Sequence, residues 1–197
     1  RHWTCVGRGC KYSCSYCGGS HISQYILCKR TSPVFRSPVK LADDASYLKD
    51  NGVDQVMLSH DLNLAGKKYW SEFFAEVRKR RIDIGIYMGL WQLFEREFIE
   101  ELARTFDTSL SWLGFSPTSG NEFIRRFNGK HFSDRELFER LLWFKNLGLQ
   151  VEIFFASNLP RETDSTFDES IALGRKILET YSVGKLKLHC QPILLDP

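Results

Sequence analysis

Hydrophobic positions along the chain alternate between the two-residue period of a strand and the wider spacing of an amphipathic helix. Strand-like apolar runs cover residues 2–6, 53–61, 82–90, 108–117, 149–160 and 184–195. Helical spacing covers residues 39–52, 68–80, 95–106, 120–128, 133–148 and 164–181. Such alternation is typical of a parallel sheet with right-handed helical crossovers. We therefore predict an α/β fold with six parallel strands, which are too few for a closed eight-stranded barrel.

The loop after the first strand is the most distinctive stretch of the chain. Its sequence, GRGCKYSCSYCGGS at residues 7–20, contains Cys10, Cys14 and Cys17 in the spacing C-x-x-x-C-x-x-C. In parallel α/β folds, functional groups lie at the carboxyl ends of the strands. We therefore expect this loop and the polar loops after the other five strands to face one mouth.

Three clustered cysteines in a mixed α/β chain indicate a metal centre and not a disulfide framework. A structural zinc site needs four ligands, and the second cysteine pair of such a site is missing. A cluster of four irons takes thiolate ligands, and three thiolates leave one iron open, as a catalytic metal requires. Cys5 and Cys190 are predicted to be small buried residues, whereas Cys28 lies in a polar loop near the triplet.

Composition and charge narrow the function further. The 197 residues include 27 basic and 24 acidic side chains, without the basic excess of a dedicated nucleic-acid binder. No apolar run reaches the ~18 residues that a membrane span needs, and no secretory signal is visible. Clustered free thiols then favour the reducing cytoplasm. Because no linker divides the chain, we predict one domain, 1–197, and its start without methionine suggests a piece cut from a longer protein.

The cysteine motif, with the aromatic Tyr16 before its last cysteine, resembles that of the radical S-adenosylmethionine superfamily. The resemblance covers nearly the whole chain and implies a partial (βα)6 TIM-like barrel. It implies that Cys10, Cys14 and Cys17 bind a 4Fe-4S cluster, whose open iron is chelated by S-adenosylmethionine. An electron donor such as flavodoxin or ferredoxin would reduce the cluster. Cleavage of the sulfonium would then give a 5′-deoxyadenosyl radical that takes hydrogen from a small-molecule or peptide substrate.

The loop after the second strand has SHDLN where the family often has G-G-E. By this resemblance, Ser59, His60 and Asp61 are candidates for receiving the methionine amino group, with Asp61 as the charged acceptor. Asp61 could equally be a helix-entry cap.

The loops after the fourth and fifth strands also resemble family stretches. PTSG at residues 117–120 is similar to a Q-S-G-S stretch, so Thr118 and Ser119 would meet the ribose or the amino-acid end, and Lys130 the carboxylate. Ser119 could also cap the following helix. SNLPRET is similar to G-L-P-G-E-T, so the backbone around Asn158 would pack on the adenine together with Tyr16.

Two short stretches resemble the branch that carries a cobalamin-binding domain before the barrel. They are CGGS at residues 17–20 and QPILLDP at residues 191–197. This resemblance implies cobalamin as a third cofactor, an upstream cobalamin-binding domain in the same chain, and methyl transfer to an unactivated carbon. Two alternatives stay open: a cobalamin-free radical enzyme such as a methylthiotransferase, and a non-catalytic iron–sulfur or zinc module.

The substrate and the catalytic residues are not identified by the sequence. Aromatic and histidine side chains near strand ends are candidates for the mouth, and they are Tyr87, Trp91, Trp112 and His189. Tyr87 and Trp112 fall inside predicted strands, where the alternation of side chains could equally direct them outward to the helices.

Overall fold

The computed structural model describes residues 1–181 and 184–193. Its strands are β1 (His2–Thr4), β2 (Gly7–Arg8), β3 (Val34–Phe35), β4 (Gln55–Leu58), β5 (Gly85–Leu90), β6 (Trp112–Thr118), β7 (Gln150–Ser157) and β8 (Leu186–Pro192). Six of them form one parallel sheet in the order β1-β4-β5-β6-β7-β8. The six-stranded parallel fold predicted from the sequence is confirmed.

Seven α-helices connect or flank the strands. They are α1 (His21–Cys28), α2 (Pro38–Asp50), α3 (Lys67–Lys79), α4 (Arg96–Thr105), α5 (Glu122–Phe127), α6 (Asp134–Asn146) and α7 (Asp164–Thr180). The sequence pattern did not predict α1, nor the short antiparallel pair of β2 and β3 that flanks it. None of the residues of α1 is buried, so this helix lacks the buried apolar face that usually marks a helix in the sequence.

The hydrophobic core lies between the helices and the outer face of the sheet. In β5, for example, Ile86, Met88 and Leu90 are fully buried, whereas Tyr87 and Gly89 between them are half-buried on the opposite face. Alternate residues of a strand point to opposite faces, so the half-buried set lines the inside of the partial barrel. In the part of the chain that the structure describes, no helix combines the length and the apolar character needed to cross a bilayer.

Candidate functional site

The cysteine loop leaves β1 and is anchored to the carboxyl end of β4. Ser59 Oγ accepts a hydrogen bond of 2.9 Å from the Val6 amide, which fixes the chain just before the loop. Within the loop, the Cys17 amide donates to the Cys14 carbonyl at 3.2 Å, and the Ser20 amide donates to the Cys17 carbonyl at 3.1 Å. Consecutive turns therefore present the cysteines in a compact stretch that ends where Ser20 caps α1.

The three cysteines line one cavity of about 830 Å³ at the mouth of the barrel. Cys10 and Cys14 are half-buried, and Cys17 is exposed. Among residues 1–181 and 184–193, no group of three or more His, Cys, Asp or Glu side chains is arranged to hold a metal ion as the structure stands. The donor set fits an iron–sulfur cluster, because three thiols share a space that is large enough for a cluster and a further ligand.

Burial dominates the protonation of the thiols. Desolvation raises the pKa values of Cys10 and Cys14 above that of a free thiol, and the nearby positive charge of Lys130 opposes the increase. The same charge would stabilise thiolates bound to iron. Tyr12 lines the cavity beside them, and burial raises the pKa of its phenol to about 12, so this phenol keeps its proton at neutral pH.

Lys130 lies in the same cavity, as the resemblance implies for a residue near the cofactor. Its side chain is 4% exposed, and Nζ donates a hydrogen bond of 2.6 Å to the Trp91 carbonyl. Burial lowers the pKa of the ammonium, whereas the surrounding thiols and Asp61 raise it. An ammonium has three donors, so Lys130 keeps the capacity to bind an anionic ligand in addition to the carbonyl.

The segment before Lys130 holds the cysteine loop in place, which no pattern in the sequence indicated. Gly129 has φ +90°, and a Cβ at this position would lie 2.9 Å from Cys14 Cα. Its carbonyl accepts a hydrogen bond of 2.6 Å from Gln92 Nε2. Asn128 Oδ1 accepts a hydrogen bond from the Ser15 hydroxyl. Residues 128–130 therefore form a clamp against the second cysteine.

The three candidates after β4 separate into two groups. Ser59 and His60 line the cavity, and Ser59 Oγ lies 2.8 Å from His60 Nδ1. Asp61 is 2% exposed and does not line this cavity. Its Oδ1 accepts from the Asn63 amide and its Oδ2 from the Trp91 amide, both at 2.9 Å. Asp61 thus caps the short 3-10 helix Leu62–Leu64, which confirms the capping role that the sequence left open, and its carboxylate is engaged by backbone donors.

The candidates after β6 lie next to a smaller pocket of about 300 Å³ that is shared with Tyr16. Thr118 lines this pocket with φ +67°, and its hydroxyl donates to the Pro117 carbonyl. Ser119 is fully buried and lines neither this pocket nor the large cavity. The predicted helix cap at Ser119 is wrong, because Asn121 caps α5 by accepting from the Ile124 amide at 2.9 Å.

Tyr16 lines the smaller pocket, and Asn158 is connected to it through Ile193. Asn158 is exposed at φ +66°, and its Nδ2 donates at 3.1 Å to the carbonyl of Ile193, a residue that lines the pocket. Asn158 itself is not part of the lining. Tyr16 lines both the pocket and the large cavity, and burial raises the pKa of its phenol. Tyr16 therefore lies between the two spaces, as does Ser116, which also lines both.

Of the mouth candidates, Trp91 lines the large cavity, whereas Tyr87, Trp112 and His189 lie on strands and do not line it. Of the two directions that the sequence left open for Tyr87 and Trp112, the inward one is correct. Tyr87 and His189 flank Glu152, whose Oε2 accepts from the Tyr87 hydroxyl at 2.9 Å and lies 3.8 Å from His189 Nε2. The sequence pattern gave no sign of this inward carboxylate.

The remaining cysteines differ from expectation. Cys190 is exposed and Cys5 is half-buried, so the prediction that both are buried is wrong. Both fall near the open edges of the partial barrel, where the outermost strands have a neighbour on one side only. Cys5 and Cys28 also line the large cavity.

Comparisons with known proteins agree with the geometry of the site. The family model described as the Radical SAM superfamily matches residues 4–174. The uncharacterized protein MJ0966 from Methanocaldococcus jannaschii is 24% identical over 193 residues, which cover 98% of this chain and 40% of that protein. The chain therefore spans well under half the length of this curated relative.

Solved structures share the fold at low sequence identity. The radical S-adenosylmethionine methyltransferase TsrM from Kitasatospora setae, solved with cobalamin and a [4Fe-4S] cluster bound, superposes with a TM-score of 0.73 at 15% identity, over 94% of this chain and 34% of that one. Methylornithine synthase (PylB) has a TM-score of 0.67 at 14% identity, over 98% and 52%. SuiB from Streptococcus suis, bound to S-adenosylmethionine, has a TM-score of 0.64 at 12% identity, over 98% and 41%. With a family match over most of its length and three cysteines gathered at the mouth of a parallel partial barrel, the chain belongs to the Radical SAM superfamily.

Proposed function

We propose that this chain is the core of an enzyme that cleaves S-adenosylmethionine reductively at a 4Fe-4S cluster and abstracts hydrogen from a substrate. The observation that carries the proposal is the single cavity of about 830 Å³ that Cys10, Cys14 and Cys17 share with a buried lysine. A non-catalytic zinc or iron–sulfur module would have no use for so large a space beside its ligands, because structural metal sites are closed.

The three thiolates would hold the cluster, which supplies the electron that starts the radical chemistry. Lys130 then stands ready to bind the carboxylate of S-adenosylmethionine through its remaining donors. Ser59 and His60, on the β4 side of the cavity, are the candidates that remain for the amino group. Asp61 would contribute by supporting the Trp91 backbone, because its buried carboxyl group accepts from the Trp91 amide.

The adenosyl end would lie in the smaller pocket. Tyr16 links that pocket to the cavity, and Thr118 and Ile193 line it. Asn158 would act by holding the Ile193 backbone, since its amide donates to that carbonyl. Ser119 would act through its backbone, because its carbonyl accepts at 2.9 Å from the Arg125 guanidinium and its side chain is buried.

For the finer reaction, we favour cobalamin-dependent methyl transfer to an unactivated carbon. Support comes from the resemblance of CGGS at residues 17–20, where the two glycines are exposed beside the last cysteine, and from the fold shared with TsrM. Part of the second resembling stretch, residues 194–197, lies outside the described residues. An upstream cobalamin-binding domain, a small-molecule or peptide substrate and a cytoplasmic location belong to this proposal.

A cobalamin-free radical enzyme is the second candidate, because the fold is shared with a methylornithine synthase as well as with a methyltransferase and so does not by itself select methyl transfer. The two candidates differ in their products. With reductant and S-adenosylmethionine, the cobalamin-dependent enzyme should co-purify with cobalamin and form both 5′-deoxyadenosine and S-adenosylhomocysteine. Formation of 5′-deoxyadenosine with neither cobalamin nor S-adenosylhomocysteine would contradict methyl transfer and support the second candidate.

A further inference from the structure

Basic residues are segregated at the end of the chain that carries the cysteines. Residues 1–42 contain seven Lys or Arg and no Asp or Glu, whereas residues 43–197 contain 20 basic and 24 acidic side chains. The net charge of +3 therefore hides a strongly positive first segment and a negative remainder. This segment includes the whole cysteine loop and α1.

Several of these charges have no carboxylate to neutralise them. Within the described residues, Arg36 pairs with Asp44 at 2.5 Å and Lys40 with Asp43 at 3.1 Å. In the same part of the chain, Arg8, Lys11, Lys29 and Arg30 have no carboxylate within 4 Å. Lys11 and Lys29 instead lie over the rings of Tyr12 and Tyr25, at 5.5 and 5.7 Å from the ring centroids.

An apolar patch lies beside these charges on α1. The patch consists of Ile22, Tyr25, Ile26 and Leu27. All four side chains are exposed, Ile26 to 61% and Leu27 to 78%. Ile22, Tyr25 and Ile26, at positions i, i+3 and i+4, share one side of the helix, and Leu27 extends the exposed apolar surface around it. A group of adjacent exposed apolar side chains with a polar rim usually marks a site of contact with another molecule.

This surface adjoins the cysteine loop closely. The His21 amide at the start of α1 donates to the Tyr12 carbonyl at 2.7 Å. After the helix, Arg30 packs on the loop, since a Cβ at Gly9 would lie 2.8 Å from Arg30 Cδ. Cys17, the exposed member of the triplet, lies four positions before His21, the first residue of α1. A protein seated on α1 would thus be next to the bound cluster.

We propose that α1 with Arg8, Lys11, Lys29 and Arg30 is the docking surface for an acidic one-electron carrier protein that reduces the cluster. The inference rests on the proposed function, because only a redox-active cluster needs such a donor. One electron leaves the carrier's cofactor and enters the cluster, and no bond or proton changes place. Charge complementarity selects an acidic partner, and a small apolar centre with a charged rim suits the brief, small interfaces of redox encounters.

The test measures how fast reduced flavodoxin, an acidic flavin protein, reduces the reconstituted full-length protein in a stopped-flow instrument. The variant Lys11→Glu/Lys29→Glu reverses two charges that do not line the cavity. Its matched control is Lys68→Glu/Lys176→Glu, which reverses two exposed lysines on α3 and α7. Dithionite, which needs no docking surface, reports whether each variant keeps a working cluster.

We expect the docking variant to lose at least about tenfold in the second-order rate constant with flavodoxin, because steering by opposite charge raises association rates by this order. The loss should shrink between about 0.01 and 0.1 M salt, as the Debye length falls from about 30 to 10 Å. The control variant and all dithionite-driven rates should stay within about twofold of wild type. Equal losses in the two variants, or a loss that salt does not alter, would overturn the docking surface.

A further variant, Leu27→Ser, tests the apolar patch and should weaken flavodoxin binding at every salt concentration. If another domain of the full-length protein covers α1 instead, Leu27→Ser will lower its thermal stability and leave flavodoxin binding unchanged, which also refutes the proposal. Failure of the proposed function looks different, because wild type would then yield no 5′-deoxyadenosine even with dithionite.

Discussion

The clamp on the second cysteine can be tested with a pair of glycines that differ in one contact. Gly129 follows α5 at φ +90°, and Gly148 follows α6 at φ +71°. A Cβ at Gly129 would lie 2.9 Å from Cys14 Cα and 3.1 Å from Cys14 Sγ, whereas a Cβ at Gly148 meets nothing within 4 Å. The substitutions Gly129→Ala and Gly148→Ala therefore share the backbone strain and differ in the clash.

Each alanine should cost about 1–2 kcal/mol of unfolding free energy, the usual penalty for a left-handed non-glycine residue. Only Gly129→Ala must also displace the Cys14 backbone, because a Cβ cannot lie closer than 3.0 Å to a main-chain atom unless one of the two moves. We expect Gly148→Ala to assemble the iron–sulfur cluster normally after its modest loss of stability. Gly129→Ala should assemble clearly less of it.

Anaerobic reconstitution followed by iron and sulfide analysis measures cluster assembly, and urea unfolding of the metal-free proteins measures stability. Comparing the two variants at matched stability isolates the contact with Cys14. Full cluster content in Gly129→Ala, or equal losses in both variants, would refute the idea that residues 128–130 set the position of the second cysteine.

Three further predictions concern single side chains. Cys14→Ala should abolish the four irons per chain expected of a cysteine-bound cubane, whereas Cys190→Ala should retain them, as iron analysis will show. Lys130→Met keeps the aliphatic volume but removes the charge. Titration should show that S-adenosylmethionine binds about tenfold to a hundredfold more weakly, which corresponds to the loss of a charged hydrogen bond of ~1.5–3 kcal/mol, while the cluster spectrum is retained. Unchanged affinity would mean that another residue binds the carboxylate. Arg125→Met should destabilise the fold by about 2–4 kcal/mol in urea unfolding, because the fully buried guanidinium bonds three carbonyls and Asp134. Arg126→Met, at the exposed neighbouring position, should change stability by less than about 0.5 kcal/mol.

Much of the fold could be predicted because its signals are local. Each segment shows by its own spacing of apolar residues whether it is a strand or a helix, and the alternation of strands and helices implies parallel pairing. The helix α1 was missed for the opposite reason, since its apolar side chains are exposed and follow no buried face. The inward direction of Tyr87 and Trp112 depends on where each strand starts, which a one-residue difference reverses.

The parts of the site that lie within one sequence motif could be predicted, whereas the parts that depend on contacts between distant segments could not. The spacing of the cysteines is contained in one loop, so the triplet could be identified directly. Asp61, in contrast, is engaged by the Trp91 amide from the next strand's loop. The approach of Gly129 to Cys14 joins residues 115 positions apart. Contacts of this kind leave no periodic trace in the sequence, so only the folded chain reveals them.

The most direct test of the central claim is the formation of 5′-deoxyadenosine by anaerobically reconstituted protein with S-adenosylmethionine and dithionite. Wild type should form this product, and Cys14→Ala should form none. Lys130→Met should form it only at higher concentrations of S-adenosylmethionine. If wild type binds its full complement of iron and sulfide yet leaves S-adenosylmethionine uncleaved, the cavity beside the three cysteines does not perform the chemistry assigned to it here.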